Sequence, residues 1–167
     1  MKKLERGSKK LINAWAFYDW ANSVYPLVIS TAVFPIYYSS MASSFANIEG
    51  KIVFLGALWN PTTLYDYSLA FSFLIVAFIS PILSGIADYT GSKKKFMKFF
   101  CLLGSLSVMC LFFFNGPETL WVALTFTILA SIGFWGSLVF YNAYLPEIAF
   151  PDQQDEVSAK GFIYGYA

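Results

Sequence analysis

There is no histidine in the 167-residue chain. That absence removes zinc sites built on imidazole and every nucleophilic triad that depends on a histidine base. Cysteine is nearly absent as well, with only Cys101 and Cys110, nine residues apart. Such spacing puts the two on nearly opposite faces of a helix, so they read as buried small residues and not as a disulfide. Charged residues make up only 13% of the chain, where a soluble domain carries about a quarter. No glycine-rich phosphate loop, metal-ligand spacing or membrane-embedded pair of acids is present. The expectation is a chain without catalytic residues, metal or cofactor, and a net charge of +1 gives no ground for a nucleic-acid partner.

What is abundant is apolar surface: 57% of residues are hydrophobic and 20% aromatic. Four runs carry no charge at all, residues 20–48, 67–87, 99–117 and 119–146. Each exceeds the roughly 18 apolar-dominated positions that let a helix cross the hydrocarbon core. Helices pair every backbone N–H and C=O internally, and the alternating ten-residue segments of a membrane barrel are missing. The class is all-α transmembrane, with spans expected at about 14–41, 65–88, 97–115 and 119–144. The basic start followed by an apolar run has the look of a signal peptide, but residues 11–46 are far too long for one. The run is expected to stay as the first span.

Lysine and arginine placement sets an orientation. Five fall before span 1, Lys51 lies between spans 1 and 2, and Lys93, Lys94, Lys95 and Lys98 surround the next connection. None lies between spans 3 and 4, and Lys160 follows span 4. A cytoplasmic N-terminus puts ten of the eleven on the inside, as the positive-inside bias requires. The expected location is therefore a cell (inner) membrane, multi-pass, with a cytoplasmic basic tail at 1–13 and the lysines also facing anionic lipid.

Local signals refine the map. "IVFLGALW" (52–59) is too short to span and is expected on the bilayer surface or over the helix ends, ahead of the Asn60-Pro61 turn. Thr63 and Asp66 have capping-box spacing at the start of span 2. Asn115-Gly116-Pro117-Glu118 reads as a tight turn leading into span 4. Residues 145–160 are read as a polar cytoplasmic loop, with Ser158 capping a further helix at 161–167. Because the chain stops within three turns of that start, the expectation is an N-terminal fragment of a longer protein.

Polar groups inside the spans are rare and expensive, so each needs a reason. Asp19, Asn22, Ser23, Pro26 and Ser30 form one helical stripe on span 1, opposite Val24, Leu27 and Val28. The stripe reads as the wall of an aqueous cavity, with Tyr25 close by. There Asp19 either binds a cation or exchanges a proton with the solute, or else it is an inner-end aspartate bonded to neighbouring helix ends. Ser80, Ser84 and Asp88 share a face of span 2 where a second helix can approach, and Asp88, at a helix C-terminus, needs a partner. Gly133 and Ser137 form a packing pair on span 4, whose inner end carries Tyr141 and Asn142 as further cavity candidates.

The segment "SGIADYTGSKKKF" resembles the loop between helices 2 and 3 of major facilitator superfamily transporters, G-x-L-a-D-r-x-G-r-k. Ser84, Tyr89 and Ser92 depart from that pattern; Gly85, Asp88, Gly91, Lys93 and Lys94 follow it or flank it. "FYDWANSVYPLVISTAVFPIYY" (17–38), "YNAYLPEIA" (141–149) and "VSAKGFIYGY" (157–166) are similar to the autophagy-related vacuolar amino-acid effluxer branch and its bacterial relatives. The resemblance implies a transporter of two six-helix halves built from inverted three-helix repeats, of which this chain supplies helices 1–4 and the start of helix 5. It also implies alternating access for a small solute such as amino acids, with proton coupling as one option, and a cytoplasmic gate formed by Ser84, Gly85, Asp88, Gly91, Lys93 and Lys94. The competing reading is a four-span membrane scaffold or assembly protein that transports nothing.

Overall fold

A computed structural model describes residues 5–166. The first four residues of the expected basic tail and the last of the expected fifth helix lie outside the described residues. Four helical spans cross from one end to the other, at Lys9–Ser44, Pro61–Thr90, Lys93–Phe113 and Pro117–Ile148. Each is longer than expected at one or both ends, because lysines and tyrosines that end an apolar run do not end a helix. The connection between spans 2 and 3 and the segment after span 4 share one end, here the basic end; the link between spans 1 and 2 lies at the other.

Span 1 is not a uniform rod. Helix α1 (Lys9–Asn22) passes through a π-helical turn at Pro26–Thr31 into α2 (Val33–Ser44). Pro26 opens that wide turn without an N–H to donate, and Ala32 N bonds back to Leu27 O at 3.0 Å, a five-residue reach. The wider turn rotates everything after it relative to α1, so the expected single polar stripe does not continue straight to Ser30.

The link 45–60 folds into a hairpin, β1 (Ile52–Phe54) against β2 (Ala57–Trp59), antiparallel with Ile52 opposite Trp59. Its turn puts Leu55 at φ 51° and Gly56 at φ 78°, the paired left-handed residues of a type I′-like reversal. Ile52 is buried over the helix ends with Tyr38, Leu64 and Phe114, which bears out packing there and adds a sheet that was not expected.

Helix α3 (Pro61–Thr90) begins at Asn60, whose side chain accepts from Thr62 N and Thr63 N at 3.0 and 3.4 Å. The Thr63–Asp66 capping box is therefore corrected: Pro61 occupies the first turn, so the cap falls one residue before it. Pro81 within α3 leaves the Ala77 carbonyl without its helical donor. Gly91 closes α3 in the left-handed conformation, φ 62°, which glycine adopts without a Cβ penalty. Helix α4 (Lys93–Cys110) follows at once; Cys101 and Cys110 are half-buried free thiols.

Helix α5 (Leu120–Ala143) is the centre of the bundle and its most buried span. At its start Thr119 Oγ1 accepts from Asn115 N and Gly116 N at 3.0 and 3.1 Å, closing the expected turn. Against α3, Ser72 and Ser131 share a buried hydrogen bond of 2.7 Å. Against α4, Gly133 sits directly on Gly104; a Cβ there would stand 2.8 Å from the Phe100 carbonyl oxygen. The pair Gly133 and Ser137 is thus a packing surface, with Ser137 wholly buried and bonded to Phe134 O.

After a short α6 (Leu145–Ile148), helix α7 runs over Gln154–Tyr166. It starts seven residues before the expected 161, so the loop is shorter and Ser158 lies inside the helix, not at its cap. Pro151 and Asp152 in the preceding 3₁₀ turn, not Ser158, are the starting signal. Ile148, Ala149 and Val157 pack with Leu11, Ile12 and Trp15 into a small core at the basic end. Arg6 fastens the tail there, donating to Ala149 O and Pro146 O at 2.7–3.1 Å.

Candidate solute site and gate

Trp15 and Asp19 are one turn apart on α1, and so are Gly161 and Gly165 on α7. The two pairs meet. A Cβ on Gly161 would lie 2.7 Å from the Trp15 ring, and one on Gly165 would lie 2.8 Å from Asp19 Oδ2. Gly161-x-x-x-Gly165 is a small-residue motif that lets helices approach closely, and it was present in the sequence without having been read. Trp15 stacks on Tyr141 of α5 with ring centroids 4.3 Å apart and planes 9° apart, and its indole N–H donates to Tyr141 O at 3.0 Å.

These contacts frame a cavity of about 180 Å³ bounded by Trp15, Asp19, Tyr141, Asn142, Ser158 and Gly161. Three expected site residues, Asp19, Tyr141 and Asn142, are thus brought together. Among the described residues Asp19 forms no ion pair and its carboxylate accepts no hydrogen bond, because no basic side chain lies beside it. An uncompensated carboxylate costs about 2.5–3.5 kcal/mol at the bilayer centre and less toward the inner end of the span, where Asp19 lies. A cationic visitor or a proton removes that cost.

The other expected residues go elsewhere. Asn22 and Tyr25 line a second cavity of about 280 Å³ between span 1, α4 and α5, together with Cys101, Gly104 and Ser137. The sixty-degree offset between positions 19 and 22 on a helix is enough to send the two side chains toward different neighbours. Ser30 lies beside the Tyr25 hydroxyl, across from Ser131. Ser23 spends its hydroxyl on Trp20 O at 2.7 Å and borders neither cavity. Asn22 Nδ2 and Tyr141 Oη are buried without a protein partner, while the buried Tyr18 and Tyr25 hydroxyls have Ser137 and Ser30 near them without a well-formed hydrogen bond. Buried polar atoms ordinarily find partners, and water or solute entering these cavities would supply them.

At the basic end, Lys93 Nζ stands 2.8 Å from Asp88 Oδ1 and 2.7 Å from Glu147 Oε1. The partner that Asp88 needed is therefore a lysine five residues on, shared with an acid of α6 that sequence spacing could not single out. Lys93 is largely shielded, 16% exposed, while the two carboxylates are half in solvent at 57% and 52%. Screening on the acid side keeps the linkage breakable. Ser84 is half-buried, while Gly85, Gly91 and Lys94 are exposed, and nothing lies within 4 Å of a Cβ built on Gly85. Ser80, on the small-residue face of α3, borders one cavity with Phe99 and Leu103 of α4, and Asp88 at its end is bound to Lys93.

Comparison with known proteins follows this geometry. A family model described as "Vacuole effluxer Atg22 like" matches residues 7–162. The chain is 41% identical over 155 residues to an uncharacterized MFS-type transporter, YxiO, of Bacillus subtilis (strain 168), covering 92% of this chain and 34% of that protein. It is 27% identical over 172 residues to autophagy-related protein 22 of Coccidioides immitis (strain RS), covering 83% of this chain and 28% of that one. Autophagy-related protein 22-1 of Aspergillus fumigatus is 25% identical over 178 residues. No solved structure matches. The chain spans about a third of the length of the curated relatives it matches.

Proposed function

The chain belongs to the Atg22-like vacuole effluxer family within the MFS-type transporters, and on that premise we propose that the protein moves small amino acids across a membrane by alternating access. The observation that carries this reading is the unpaired Asp19 carboxylate in a cavity walled by Trp15, Tyr141 and Asn142. An α-ammonium group supplies the missing charge, the stacked aromatic rings add cation–π attraction, and Asn142 offers both a donor and an acceptor to a carboxylate. A proton on Asp19 would serve between solute visits, which gives proton coupling a place in the cycle. Interrupted helices near mid-membrane are a common feature of such carriers, and the π-helical break in span 1 borders the second cavity through Val28 and Ile29.

The Asp88–Lys93–Glu147 linkage acts in this reading as a latch at the cytoplasmic gate, tying the end of α3 to α6. Substituting Lys93→Ala leaves two carboxylates facing each other. Transport by the complete protein is expected to slow roughly tenfold, with cysteines in the cavity becoming more accessible from the basic end. Unchanged rate and accessibility would remove the latch. Orientation is tested separately: a cysteine at position 94 in intact cells is expected to resist membrane-impermeant thiol reagents, and labelling from outside would reverse the topology.

Uptake of radiolabelled amino acids into vesicles reconstituted with the complete protein tests the function itself. Accumulation above protein-free vesicles that sugars do not inhibit supports it. No uptake of any amino acid, with the protein folded and inserted, favours the scaffold reading.

A further inference from the structure

Between α3 and α4 the surface opens into two cavities that join. One, of about 330 Å³, is apolar and borders Ile79, Leu83, Leu103 and Phe140. The next, of about 620 Å³, shares Leu83, Phe99 and Phe100 with the first and ends among Thr90, Ser92 and Lys95. Each lies within the roughly 300–1,000 Å³ of built small-molecule sites. Along α3 the pair runs from Ile75 to Thr90, fifteen residues, or about 22 Å at the helical rise of 1.5 Å. One bilayer leaflet contributes about 15 Å of hydrocarbon, with the headgroup beyond it. Hydrocarbon walls thus extend over a leaflet's depth, and hydroxyls with a cation stand where the headgroup lies.

Charge decides which lipid fits. Lys93 is committed to Asp88 and Glu147, whereas Lys95 has no acidic partner among the described residues, and exposed Lys94 and Lys98 flank it. We propose that the α3–α4 groove is a binding site for one anionic phospholipid of the leaflet facing the basic end, with an acyl chain along Ile79, Leu83 and Leu103 and its phosphate at Lys95 and Ser92. This does not depend on the solute that the protein carries, only on its lying in a bilayer.

Native mass spectrometry of the complete protein, equilibrated with equal phosphatidylglycerol and phosphatidylcholine, tests it. Bound phosphatidylglycerol is expected in about fivefold excess. Lys95→Gln should bring the ratio close to one, and Leu83→Trp, which fills the groove, should lower retention of both lipids. Thermal unfolding of each variant is followed to confirm an intact fold. Equal retention of the two lipids by the unaltered protein, or a preference that survives both substitutions, overturns the site. Displacement of the lipid by millimolar inorganic phosphate would show a free-anion site instead and overturns it as well.

Discussion

Asp19→Asn is expected to lower amino-acid transport by about 100-fold or more while leaving thermal stability unchanged. The two halves of that expectation have one cause. The Asp19 side chain makes no hydrogen bond or ion pair within the described chain, so an isosteric amide removes no contact that holds the fold. It does remove the counter-charge for a bound ammonium group, and a unit-charge pair about 4 Å apart near a protein surface is worth about 4 kcal/mol. Removing a carboxylate that lacks a counter-charge even relieves some of its burial cost. Reconstituted uptake and a melting curve on the same preparation check both halves. A large loss of stability would mean that Asp19 serves as a structural cap at the end of the bundle, as the competing reading of the sequence has it.

Gly133→Val is expected to have the largest effect on the fold. The Cβ of any residue there would meet the Phe100 carbonyl oxygen at 2.8 Å and the Gly104 Cα at 2.5 Å, both parts of the α4 backbone. Backbone cannot rotate away as a side chain does, so α4 must move off α5. Overpacking in a core costs about 1–3 kcal/mol, and this contact lies at or above the upper end of that range. The complete protein is expected to aggregate or to elute broadly in detergent. The partner glycine behaves differently: a Cβ on Gly104 meets its nearest neighbours at 3.4 Å, so Gly104→Ala should be nearly neutral. Equal damage from both substitutions would contradict the crossing geometry.

The spans were legible because charge and its absence are one-dimensional properties. Helix ends were less so, since a helix in a membrane continues through lysines and tyrosines that belong to the interface. The break in span 1 had a signal in Pro26 but no signal for its width, and that width turns the chain beyond Tyr25, Ser30 included, away from the line of α1. The hairpin was hidden because Leu55, a residue that rarely takes positive φ, occupies half of its turn. Lys93 was visible as part of a basic cluster, but its bridge to Glu147 joins residues 54 apart and depends on how α3 and α5 end beside each other. Gly161 and Gly165 carried a readable motif whose partner, the Trp15–Asp19 edge of α1, emerges only from packing. Tyr141 and Asn142, cavity candidates from the inner end of span 4, border the same cavity as Asp19, whereas Ser23 bonds back onto its own helix.

The most direct measurement uses a cysteine at position 142, with Cys101 and Cys110 replaced by alanine, in the complete protein reconstituted in vesicles. A water-soluble, membrane-impermeant maleimide is expected to modify this position, because it borders the cavity that holds Asp19, and a saturating transported amino acid should slow the reaction severalfold. An inert thiol, or one whose rate ignores every amino acid, would contradict a solute path along this face of α1 and α5.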